Sequence, residues 1–97
     1  MKTIVQLKNP PKIKIGSVLK AKCLHYLERY KDLGHTDYGK CIPLSKNEMV
    51  TLIGVEQHPN WENCFALKFI YDNQILWLAV YKDQYNSILQ EEFELVI

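Results

Sequence analysis

Residues 64–81 read CFALKFIYDNQILWLAVY. They describe two strands joined by a tight turn. Phe65, Leu67 and Phe69 alternate with Cys64, Ala66, Lys68 and Ile70, which is the period of a strand with one face in a core. Asp72 and Asn73 tolerate positive φ and suit a two-residue hairpin turn. The second strand does not alternate: from Ile75 to Tyr81 every residue is apolar or aromatic. If Leu76, Leu78 and Val80 join the Phe-Leu-Phe core, then Ile75, Trp77, Ala79 and Tyr81 form a second apolar face. That face needs a cover: the segment 19–33, the curvature of the sheet with its long loop, or another chain. A contiguous apolar patch of more than a few hundred Å² is rarely left exposed on a monomer.

Working outward, residues 82–97 are expected to run from a short helix, with Asp83 as N-cap and Tyr85, Ile88 and Leu89 at helical spacing, into a last strand with Phe93, Leu95 and Ile97 alternating. On the other side, QHPNWEN (57–63) is a loop, 49–56 is β-rich with Gly54 marking a bulge, SKNE (45–48) is a turn, and 41–44 is extended. Residues 17–34 admit three readings: a helix, a strand, or a strand followed by a short helical turn. As a helix, Ser17 caps it, Gly34 ends it, and Leu19, Cys23, Tyr26, Leu27, Tyr30 and Leu33 share a face. As a strand, Leu19, Ala21 and Cys23 alternate with Lys20 and Lys22, and early lysines suit a helix N-terminus poorly. Asn9-Pro10-Pro11-Lys12 interrupts the chain after a short extended run, so 1–12 is expected to be a loosely attached arm.

From residue 13 onward the layout resembles an SH3-like small barrel: strand, long loop, diverging turn, strand, loop, hairpin, short helical turn, strand. The peptide-binding signature of eukaryotic SH3 domains is not in this sequence: there is no Ala-Leu-Tyr-Asp-Tyr, no paired Trp at the head of the third strand and no Pro in the short helix. The resemblance implies the fold and little about function, since such barrels host unrelated activities. The expected fold is therefore mainly β, a small antiparallel SH3-like barrel with a short C-terminal helix. The alternative is an α+β fold, an antiparallel sheet with a helix at 18–33 packed on it.

Ninety-seven residues, 47% hydrophobic and 24% charged, are expected to form one globular domain. No run approaches a membrane span, and the start MKTIVQLKNPPK carries no secretory signature. Three cysteines without a C-x-x-C pair point to reduced thiols and a cytoplasmic protein. The net charge of +1 conceals an asymmetry: ten Lys or Arg against three acids in residues 1–46, two Lys against eight acids in 47–97. These charges mix if the two halves interleave in the fold, and form a dipole if they do not.

No catalytic constellation stands out. A Cys–His pair such as Cys41 with His35 or His58 has no local base or orienting group, Glu91, Glu92 and Glu94 read as a solvated run, and no enzyme activity is expected. No two of the Cys and His residues sit at paired zinc spacing; Cys23 and His25 diverge on a helix and point the same way on a strand. No metal site and no cofactor are expected. The aromatics are the stronger lead: Tyr30, His35, Asp37 and Tyr38 in the long loop, His58 and Trp61 in the next, Trp77 and Tyr81 on the outer strand face, and Tyr85 in the short helix. Such residues are enriched where small barrels and other domains grip partners. The expected function is a small non-catalytic protein-binding or regulatory module. Two alternatives are a nucleic-acid-binding barrel using Lys8, Lys12, Lys14, Lys20 and Lys22, and a small-ligand-binding homo-oligomer.

Overall fold

A computed structural model describes residues 13–33 and 40–96. Among the described residues seven strands and one α-helix follow in order: β1 (Val18–Ala21), β2 (His25–Leu27), β3 (Ile42–Leu44), β4 (Met49–Gln57), β5 (Cys64–Tyr71), β6 (Gln74–Tyr81), α1 (Tyr85–Glu91) and β7 (Phe93–Leu95). Short 3₁₀ turns cover Tyr30–Asp32 and Lys82–Gln84. The fold is mainly β, a five-stranded antiparallel sheet with one short C-terminal helix.

The hairpin forms as its sequence dictates. Asp72 (φ 52°) and Asn73 (φ 60°) both take left-handed backbone, the conformation of a primed two-residue turn. Tyr71 pairs with Gln74, and the ladder runs without slip to Cys64 and Tyr81. The pleat then sends Phe65, Leu67 and Phe69 to the core face beside Val80, Leu78 and Leu76. β4 carries a bulge between Leu52 and Gly54, which resets its register against β5. Val50 and Leu52 before it and Val55 after it all reach the core. This is the physical use of a bulge: it bends a long strand so that one strand serves two neighbours.

β1 pairs with β4 on one side and β7 on the other, giving the order β6-β5-β4-β1-β7. β2 and β3 form a separate two-stranded sheet whose Leu27 and Leu44, both fully buried, enter the same core. One bridge between Glu28 and Trp77 joins it to the edge of β6, with both backbone bonds at 2.8 Å.

Four expectations change. The sheet does not close into a barrel: among the described residues β6 and β7 remain its two edges. The chain from β6 to β7 is spent on a 3₁₀ turn and α1, which brings Leu89 into the core. The helix at 18–33 is not formed. Tyr26 and Leu27 would share a helix face, yet Leu27 is fully buried and Tyr26 is 43% exposed, the alternation of a strand. The open sheet with a helix on it, the α+β element of the alternative, is met by α1 instead. Asp83 lies inside a 3₁₀ turn and caps nothing; Gln84 holds the N-cap position without a side-chain bond. Ser17 does cap, but a turn: its Oγ accepts from Lys14 N at 3.0 Å, and its own N–H donates to the Lys14 carbonyl at 2.9 Å across Gly16, whose φ of 99° favours glycine. The arm 1–12 lies outside the described residues. No helix among the described residues is long and apolar enough to cross a membrane.

Candidate functional site

The outer face of β6 is covered at its centre by the chain itself. Trp77, 6% exposed, packs with Leu33 and Ala66. Tyr30 lies across its ring at 5.4 Å between centroids, and the Lys68 ammonium sits 5.3 Å from the ring centre. Segment 28–33 is thus the cover. It leaves Ile75 and Ile70, paired at the turn end, and Tyr81 at the other end exposed.

The loop 58–63 is built around a histidine. The His58 Nδ1 accepts from the backbone N–H of both Asn60 and Trp61, each at 3.0 Å. The ring proton therefore resides on Nε2, which is buried and has no partner among the described residues. Trp61 stacks on the imidazole at 4.6 Å with an interplanar angle of 8° and stays 41% exposed. Gln57 closes the loop mouth: its Nε2 lies 3.0–3.3 Å from the carbonyls of His58, Trp61, Glu62 and Cys64, so its two protons are shared among four acceptors. Asn60 Nδ2 donates to the Leu33 carbonyl at 3.3 Å and ties this loop to the cover of Trp77. Neither Gln57 nor Asn60 stands out in the sequence, where amides in a polar loop look like any turn residue.

The expected contact residues therefore divide. Tyr30, Trp61 and Tyr81 are exposed, at 61%, 41% and 54%. Tyr30 and Trp61 lie on two segments that are bonded together. Trp77 and His58 are buried and act as the bases on which Tyr30 and Trp61 rest, not as contact surfaces. Tyr85 does not join them. It meets Phe65, a residue of the opposite face, edge-on at 5.4 Å, and lines a shallow groove with Ile13, Leu52 and Val55. His35, Asp37 and Tyr38 lie outside the described residues, as do Lys8 and Lys12. Of the other lysines, Lys20 is 3.9 Å from Glu94, and the Lys22 backbone bonds to that of Glu92. Acids from the C-terminal half thus thread beside lysines of the N-terminal half, and the charges mix here.

Burial lowers the pKa of His58 below its ordinary 6.5. Protonating Nδ1 would also forfeit two accepted hydrogen bonds. The folded state therefore binds this proton less readily than the unfolded state. The resulting stability is complete above pH 6.5 and is lost as pH falls from there through the folded pKa. Burial lowers the pKa of His25 as well, and its effect on stability has the same sign. The urea midpoint is expected to fall between pH 7.5 and 5.5, and to fall by less in His58→Gln, which cannot titrate; an equal fall in both proteins overturns the assignment.

A second group gathers where β1, β2 and β7 meet. Cys23, in the bend after β1, His25, the first residue of β2, and Glu92, between α1 and β7, hold their donor atoms within 4.8 Å of one another. Cys23 and His25 point the same way, as their strand spacing allows; Glu92 gives no signal from its sequence position.

Comparison with known proteins finds no matching family model, no similar curated protein and no significantly similar solved structure.

Proposed function

We propose that this chain is a small non-catalytic binding module that grips a partner protein through Tyr30, Trp61 and Tyr81, with Ile75 at the far end of the same strand face. One observation carries the reading: two exposed rings, Tyr30 and Trp61, each rest on a buried aromatic base, and Asn60 locks their segments together. Rigid exposed aromatics give contact area at small entropic cost on binding, which is why Tyr and Trp dominate hot spots. The placement in the cytoplasm belongs to the same proposal and is supported by Cys23 and Cys64, neither of which is in a disulfide. The nucleic-acid reading has weaker support, because Lys20 is already beside a carboxylate.

The test compares capture of proteins from host lysate by the immobilised chain and by its Tyr30→Ser/Trp61→Ser/Tyr81→Ser variant, both checked for folding by circular dichroism. A specific protein retained by the native chain and lost at least about tenfold by the variant is expected, a change of about 1.4 kcal/mol. Equal capture by both, or capture only of nuclease-sensitive material that elutes with modest salt, overturns it.

A further inference from the structure

The Cys23, His25 and Glu92 cluster has a geometry of its own. Cys23 Sγ lies 3.5 Å from His25 Nε2, and Glu92 Oε1 lies 3.3 Å from that same nitrogen and 3.9 Å from the sulfur. A nucleophilic triad needs a chain, with the thiol on one ring nitrogen and the carboxylate on the other. Here both meet Nε2, so the three donors converge on a point instead of forming a relay.

Convergence has a quantitative test. With zinc bonds of about 2.3 Å to sulfur, about 2.0–2.1 Å to nitrogen and about 2.0 Å to oxygen, tetrahedral angles require edges of about 3.5 Å for S···N, about 3.3 Å for N···O and about 3.5 Å for S···O. The first two edges match. The third is longer, and it ends on the most adaptable group: the Glu92 side chain is 42% exposed. The imidazole is held in place. Its side chain is 10% exposed, and its ring stacks on Phe93 at 4.8 Å with an interplanar angle of 9°. The backbones are held as well: Glu92 N–H donates to Ile88, and its carbonyl accepts from Lys22 N–H, both at 2.9 Å. The mixed sulfur, nitrogen and oxygen donor set suits zinc better than calcium or magnesium, which take oxygen alone.

We propose that Cys23, His25 and Glu92 form a three-ligand site for zinc, with its fourth position open to solvent beside the exposed Cys23. On binding, the Cys23 S–H bond breaks as the Zn–S bond forms, and the proton passes to solvent; no electron is transferred. The site is independent of the aromatic surface, and the failure of either leaves the other standing.

The experiment titrates chelator-treated full chain with Zn²⁺ against a chromophoric competitor, and separately with Co²⁺. One equivalent is expected to bind. Cys23→Ser and Glu92→Gln should each weaken it at least about tenfold, since even outer-shell changes cost 10–100-fold. Cys41→Ser should not. The thiolate-to-cobalt charge-transfer absorption should appear in the native chain and vanish in Cys23→Ser. Cys23 and the Glu92 side chain are solvent-accessible, so both variants should keep the native urea midpoint. Absence of stoichiometric binding, or binding untouched by Cys23→Ser and Glu92→Gln, overturns the site and leaves the cluster a hydrogen-bonded group only.

Discussion

Trp77→Ala is expected to lower the unfolding free energy by about 3–5 kcal/mol, the range for truncating a buried large aromatic. A domain of this kind holds about 5–15 kcal/mol in all, so the variant should lose a large share of its stability. The cause is specific. Trp77 fills the space between Ala66 and Leu33, supports Tyr30, and receives the Lys68 ammonium over its ring. Its backbone makes the bridge to Glu28, and its indole packs against Leu33 and Tyr30 of the same segment. Urea unfolding measures the loss, and amide exchange should show residues 28–33 losing protection first. A variant within about 1 kcal/mol of the native chain would mean that Trp77 is a surface contact after all, since surface changes typically stay within about 0.5 kcal/mol.

Phe93→Ala should cost as much, about 3–5 kcal/mol, for a different reason. Phe93 is 1% exposed and links two parts of the molecule: its ring stacks on His25 and also meets Phe69 at 5.7 Å. β7 is three residues long, and only its first residue is buried. Removing that ring leaves β7 without its one buried side chain, held by its backbone pairing to β1. Phe93→Leu keeps an apolar side chain of similar bulk and should cost under about 1.5 kcal/mol. Thermal unfolding of the two variants reads the contrast; equal losses would show that ring stacking on His25, not volume, sets the cost.

Much of the fold follows from near neighbours along the chain. The alternation of Phe65, Leu67 and Phe69, the Asp72-Asn73 turn, the bulge at Gly54 and the short helix before Phe93 depend on backbone preference and period, and these act over a few residues. Residues 17–34 are ambiguous in sequence because Leu19 and Cys23 fall on one face under both the helical and the strand period. The sheet resolved the choice by offering β1 two strand partners, β4 and β7.

The sites were less legible. The exposed aromatics Tyr30, Trp61 and Tyr81 were visible as residue types, but the sequence does not distinguish them from Trp77 and His58, which are the same chemistry turned inward. Burial is a property of what lands on a side chain, and Leu33 and Asn60 arrive from distant segments. The cysteine–histidine pair was visible as a strand spacing; its carboxylate partner, 69 residues further on, was not. By itself the sequence determined the antiparallel hairpin, the turns and the choice of β over α in the second half, because those rest on local geometry. The open edges of the sheet, the covered indole and the meeting of Cys23, His25 and Glu92 were decided only by tertiary structure. Each depends on long-range packing that closes loops of tens of residues, and no short-range preference encodes it.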